Sequence, residues 1–202
     1  MKPHAITSAV QLLVEGNDYR NFFEAFRDHL RISRMEIQNY GGVSELSSFL
    51  SALVRAPRFA DVRHLGIVRD AESSARSAFQ SVRSALNKAR LALPEEIGVA
   101  APGTPIVSVL VLPEDGAGML ETVLARSFAE TREDGCIDRF FTCIESAGGT
   151  IPRPDKARAC AYLSTTSDPR VSVGVAAKQG VWDFEHAAFT KVREFLSRLG
   201  AA

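Results

Sequence analysis

Between residues 9 and 128 the chain alternates four times between a short apolar run and an amphipathic stretch, and few architectures accept that pattern. The apolar runs are Ala9–Val14 (AVQLLV), Met35–Gln38, Val62–Val68 (VRHLGIV) and Pro105–Leu112 (PIVSVLVL). Each is of strand length and is bounded by turn residues such as Gly16 or the NYGG of residues 39–42. The stretches between them have helical period. Phe22, Phe23, Phe26 and Leu30 share one face; so do Leu46, Phe49, Leu50 and Leu53, and then Ala75, Phe79, Val82, Leu86 and Ala89. Met119–Phe128 continues the series. Strands that alternate with helices pair in parallel, with right-handed crossovers that cover both faces of the sheet. The expected fold is therefore α/β, with a mostly parallel sheet of about four strands.

After residue 128 the pattern changes. Ile137–Ile144 and Lys156–Leu163 read as helices, and Phe189, Val192, Phe195, Leu196 and Leu199 mark a last amphipathic helix. No linker-like stretch separates the two parts. The reading is one domain over 1–202, with a core at 9–128 and a helical extension at 129–202 packed on an edge or over the crevice. At 46% hydrophobic, the chain has ample material for one core.

Charge bounds the function. The 24 Lys and Arg equal the 24 Asp and Glu, which argues against a binder driven by bulk phosphate neutralisation. A local basic patch or bridging metal ions stay compatible with that balance. Cys136, Cys143 and Cys160 fit no zinc spacing and read as reduced thiols. No run approaches the roughly 20 apolar residues that cross a bilayer. The expectation is a soluble cytoplasmic protein with no membrane partner. No GxGxxG and no Walker-type loop is present, so dinucleotide and ATP-hydrolysing readings lack support.

In open parallel sheets, ligands bind outside the carboxyl ends of the strands. Three of the four runs end in acid there: Glu15 with Asp18 a turn on, Asp70 with Glu72, and Glu114 with Asp115. Carboxylates gathered at one edge disfavour each other's ionisation, unless a divalent cation neutralises them. Hard oxygen ligands suit Mg²⁺ or Mn²⁺. The competing explanation for these acids is capping of the next helix, by Asn17 or Asp18, by Ser44, and by Asp70 or Ser73. Gly41 and Gly42, ending the second run, would let a ligand approach closely. Trp182 reads as a packing anchor, and His186 as a local hydrogen-bonding residue near the last helix. Phe140 and Phe141 belong either to the core or to an interface.

The order of these features resembles the TOPRIM domain of topoisomerases, bacterial primases, small ribosomal-RNA maturases and overcoming-lysogenization-defect nucleases. The resemblance rests on LLVEG followed by a helix, a Gly-Gly turn, and an apolar strand ending in a D-x-D-like pair. A stand-alone bacterial and archaeal TOPRIM-related family is the nearer likeness, through LPEDGAGMLETVL at 112–124, DKARACAYL at 155–163 and AAKQGVWDFEHAAF at 176–189. The resemblance implies that Glu15 serves as metal ligand or general acid/base. It implies that Asp70 and Glu72 hold Mg²⁺, that Asp18 assists, and that Lys156 matches the late nuclease lysine, with Glu121 a further acid. Two positions depart from the pattern: Glu72 stands where Asp is usual, and Tyr19 where many members carry Asp. The implied activity is metal-dependent processing of phosphodiesters in DNA or RNA, with Lys156 or Arg69 neutralising the phosphate. The alternatives are a catalytically inactive module that binds nucleic acid or nucleotide, and a receiver-like signalling domain. A receiver would need a lysine at Leu112–Pro113, where none stands.

Overall fold

The computed structural model describes residues 2–201. Four parallel strands, β1 (Val10–Glu15), β2 (Met35–Gly41), β3 (His64–Asp70) and β4 (Ile106–Leu112), form one sheet in the order β2-β1-β3-β4. Helices flank it: α1 (Gly16–His29), α2 (Leu46–Leu53), α3 (Ala75–Lys88), α4 (Leu120–Ser127), α5 (Arg132–Ser146), α6 (Pro154–Leu163), α7 (Val173–Lys178) and α8 (Thr190–Gly200). This is a Rossmann-like α/β fold.

The two faces of the sheet follow from its period of two. Val10, Leu12 and Val14 of β1 join Val68, Leu110 and Leu112 in a core shared with α1, α4 and α8. Leu13, Ile67, Val107, Val109 and Val111 point the other way, into a core shared with α2 and α3. The chain leaves β1 for β2 through α1, then crosses back to β3 and β4 through α2 and α3. Right-handed crossovers in opposite directions put those helices on opposite faces, as observed.

The C-terminal third does not sit on an edge. Phe189, Val192, Phe195, Leu196 and Leu199 are all buried in the α1-side core, where α8 packs on β3 and β4. A sheet with only α1 on that side would leave half of an apolar face in water, so α8 completes the layer. Trp182 is buried and its indole N–H donates to Val173 O at 2.9 Å, which anchors α7 to the segment after it.

The sequence missed α7. Its six residues, VGVAAK, carry a glycine and no amphipathic stripe. Gly174 has a packing reason. A Cβ there would lie 2.3 Å from Asp18 O and 2.7 Å from Asp18 Cα, so α7 presses directly on the backbone of α1's first turn. Helix propensity alone would favour Ala at this position by about 0.5–1 kcal/mol. The clash is with backbone, which cannot rotate away, and overpacking of this kind costs about 1–3 kcal/mol. Gly174→Ala is therefore expected to lower stability in urea titration. A variant as stable as the parent, or more so, would show that propensity outweighs the contact.

Candidate functional site at the carboxyl edge

Order β2-β1-β3-β4 places a topological switch point between β1 and β3, because the chain leaves β1 to one side for β2 and returns to the other for β3. Crevices form outside the carboxyl ends at such points. Glu15 ends β1 and Asp70 ends β3, so the two principal candidate residues flank this crevice.

Register decides how they face it. Pairing between β1 and β3 ends at Leu13 and Ile67; by alternation Glu15 and Arg69 share the face of those two residues, and Asp70 shares the opposite face with Val68. One residue of offset turns a side chain to the opposite face. The partners of Glu15 accordingly come from the α2–α3 side. Tyr40 Oη lies 3.4 Å from Glu15 Oε2 and also donates to Val68 O at 3.1 Å. Partial burial is the main influence on Glu15 and pushes its carboxyl above the ordinary glutamate range. Arg69 opposes that rise, and Glu72 adds to it.

Asp70 looks toward α1 and α4. Its Oδ1 accepts the hydroxyl of Tyr19 and the backbone N–H of Leu120, the latter at 2.9 Å. Asp70 therefore satisfies the first N–H of α4, a helix far along the chain, and does not cap α3; Ser74 does that, accepting from Ser77 N at 3.3 Å. Burial raises the Asp70 carboxyl to about 7, with Glu15 and Glu121 adding to the rise, and Tyr19 and Leu120 limiting it. Tyr19, where the TOPRIM resemblance leads one to expect Asp, is buried and acts as a hydrogen-bond donor to Asp70.

The remaining candidates divide. Glu121 is buried beside Asp70, and Lys156 Nζ approaches Glu121 Oε1 at 3.9 Å, so Lys156 reaches the Asp70 side through Glu121. Glu72 is exposed, in left-handed backbone at φ 53°, and exchanges both backbone hydrogen bonds with Gly118 at 2.8 and 2.7 Å. That clasp ties the loop after β3 to the loop after β4 and fixes Asp70 between them. Asp18 lies half-buried in the first turn of α1 and is not among the groups that act most on Glu15 or Asp70.

Several local expectations change. Neither Asn17 nor Asp18 caps α1. The strand passes straight into the helix through Gly16 at φ 77°, and Asn39 Oδ1 accepts the Gly16 N–H at 2.9 Å and the Gly41 N–H at 2.7 Å. Asn39 thus stitches the ends of β1 and β2, a role hidden in the sequence because both partners are backbone. Ser44 caps nothing either; a short 3₁₀ turn, Val43–Glu45, leads into α2. Gly41 makes room for the Glu45 side chain, whose Oε2 would lie 1.7 Å from a Cβ there, and not for a ligand. Arg158 is paired with Asp134 and Asp138 of α5 and so does not join Lys156 in a local basic patch. His186 Nδ1 accepts from Ala188 N at 3.1 Å, a local bond as expected.

Among the described residues, no group of three or more His, Cys, Asp or Glu side chains is placed to hold a metal ion. What the edge does hold is a small set of like charges with raised protonation, Glu15 and Asp70, with Glu72 at the rim. Mg²⁺ is commonly held by one or two carboxylates while waters and substrate phosphates complete the shell. The donor set fits that open mode of binding and does not fit a closed protein cage. Two grooves, of about 760 and 880 Å³, lie elsewhere, beside the start of β2 and between α1 and the segment after α7. Ion pairs such as Arg20–Glu24 and Lys178–Glu24 account for much of their charge. Perturbed carboxyls at a switch point are the stronger functional signal.

A family model described as "Protein of unknown function (DUF3226)" matches residues 9–201. The chain belongs to the DUF3226 family. The match runs from the first strand through α8, so the DUF3226 unit includes the helical C-terminal third together with the sheet. Comparison with curated proteins and with solved structures gives no match for this DUF3226 chain. No helix in the described residues is long and apolar enough to cross a membrane.

The Asp70 environment sets a pH dependence. The carboxyl ionises near 3.8 when unfolded and near 7 when folded. Between those values the folded state holds a proton that the unfolded state has lost, so the stability it contributes is complete below pH 4 and disappears as pH rises through 7. At about 1.4 kcal/mol per unit, the loss is on the order of 2–4 kcal/mol. Asp70→Asn keeps an acceptor for the Leu120 N–H and carries no charge. It should be more stable than the parent at pH 8 by that order, and about equal at pH 4. Urea titrations at the two pH values measure this. An advantage that does not shrink on acidification would contradict the assignment.

Proposed function

We propose that this chain is a TOPRIM-like protein that processes phosphodiesters of DNA or RNA with the help of Mg²⁺ or Mn²⁺. The observation that carries the reading is the pair of carboxyls, Glu15 and Asp70, set on adjacent strands at the switch point, where the charge of Glu15 disfavours ionisation of Asp70. Such mutual repulsion costs stability and is relieved by a cation. The donors that would hold it are Glu15 and Asp70, with Glu72 at the rim. When bound, a divalent ion offsets phosphate charge and activates water for attack.

The chain's own groups have distinct tasks in this reading. Asp70 is oriented by the Tyr19 hydroxyl and the Leu120 N–H, both on Oδ1, so in this reading its second oxygen would be the one to meet a ligand. Glu15 is held from the other layer by Tyr40. Lys156, half-exposed beside Glu121, supplies positive charge at the mouth. Electrostatic positioning of this kind supplies most of the catalysis in phosphoryl chemistry.

A second reading is a non-catalytic module that binds nucleic acid or nucleotide. It is favoured by Asp70 Oδ1, already committed to two donors, and by the lack of a three-carboxylate group among the described residues.

The assay is incubation of purified protein with Mg²⁺ or Mn²⁺ and single- and double-stranded DNA and RNA. Wild type is expected to cut at least one of these, and Glu15→Gln to cut it about 100-fold more slowly or less. Equal cutting by both proteins removes Glu15 from the chemistry. If nothing is cut, and millimolar Mn²⁺ still raises the melting temperature of wild type but not of Glu15→Gln, the binding module replaces the nuclease.

A further inference from the structure

Arg69 is buried at 5% exposure. By the alternation of β3 its side chain shares a face with Ile67, between the sheet and the α2–α3 layer. Its Nη1 makes one long hydrogen bond, 3.3 Å, to Ser81 Oγ, and its Nε has no partner. Among the described residues no carboxylate stands within ion-pair distance of it. A guanidinium taken out of water in this state is costly, and buried charges are ordinarily paired.

Arg83 and Arg193 also have an unpartnered Nε, but neither is comparable. Both are only half-buried. Arg193 donates to Phe184 O at 2.6 Å and lies 3.8 Å from Glu185, while Arg83 sits over the Phe79 ring. Arg69 alone combines near-complete burial with a single long hydrogen bond and no contact ion pair; the Glu15 carboxylate acts on it only from beyond ion-pair distance. It also shares the α2–α3 face with Glu15 at the switch-point crevice, close enough to act on that carboxyl.

We propose that Arg69 is the receptor for a phosphate group: its guanidinium, with the unpartnered Nε, takes the oxygens of a phosphate that enters beside Glu15. The proposal rests on the phosphodiester reading above and names the group that reading must bind. The planar fork of arginine matches two phosphate oxygens at once, and these charge-assisted bonds are roughly twice as strong as neutral ones. The phosphate would supply the contact anion that Glu15, acting from beyond ion-pair distance, does not. It would also lie next to the carboxylates that hold the cation, so phosphate and cation neutralise each other in place.

The test is metal-free thermal unfolding in EDTA, with inorganic phosphate against chloride at equal ionic strength. At ten times its dissociation constant, phosphate is expected to raise the melting temperature of wild type by about 2–5 °C. Arg69→Met, similar in length and uncharged, should lose that shift. Without phosphate it should melt at or above wild type, because an unpaired buried cation is gone. If Arg69→Met fails to fold, Arg69→Lys carries the test, since it keeps the charge and loses the fork. It should need about tenfold more phosphate for the same shift. Equal phosphate shifts in wild type and variant overturn the proposal.

AMP, a 5′-hydroxyl oligonucleotide and acetate are run as further arms. A shift with AMP assigns a terminal phosphate and one with the oligonucleotide a diester, and either supports the receptor. A shift as large with acetate overturns selectivity for phosphate. The readout is independent of cleavage. An Arg69-dependent shift in a protein that cuts nothing keeps the receptor and removes the nuclease, and cutting with no such shift does the reverse.

Discussion

The Asp70 carboxyl joins three elements that are far apart in the chain. It ends β3, receives the hydroxyl of Tyr19 from α1, and receives the first N–H of α4. Around it the loops after β3 and β4 are clasped by the paired backbone bonds of Glu72 and Gly118. The carboxyl edge of the sheet is thus organised about a group whose charged form burial disfavours. Hydrogen bonds offset part of that cost. The remainder is stability given up at neutral pH, at a position where a binding site would be expected.

The same edge carries a complementary imbalance on its other side. Glu15 and Arg69 lie on neighbouring strands on the α2–α3 face, and Arg69 acts on Glu15 without a contact ion pair. The two layers therefore present, across one crevice, carboxyls that disfavour each other's ionisation and a guanidinium with no contact anion. Hydrophobic packing does not require either. α7 and α8 add nothing charged to this centre, but they fix it. Gly174 lets α7 rest on the turn of α1 that leads into Tyr19, and α8 closes the face beneath Asp70.

Much of the fold was legible because it is written in short-range pattern. The residues assigned to α2 and α8 follow their apolar stripes, and each strand run overlaps an observed strand. Errors fell where polar residues serve the backbone. The strand β2 continues through Asn39 and Tyr40 to Gly41, although Asn39 is neither apolar nor β-branched. The helix α5 begins at Arg132, ahead of Ile137, because Thr131 caps it by accepting from Asp134 N at 3.2 Å. The short helix α7 left no stripe to read.

The candidate site was legible as positions and not as contacts. An apolar run that stops in acid reveals where a strand meets the edge of a parallel sheet, since burial tolerates the charge only at the end. That much the chain determined locally, for Glu15 and Asp70 alike. Which way each carboxyl turns depends on strand register, and register is a relation between segments more than 50 residues apart. The tertiary structure put Glu15 on the face of Arg69, gave Asp70 to Tyr19 and Leu120, and left Arg69 buried without a contact ion pair. A one-residue slip would have exchanged those partners without altering any local pattern.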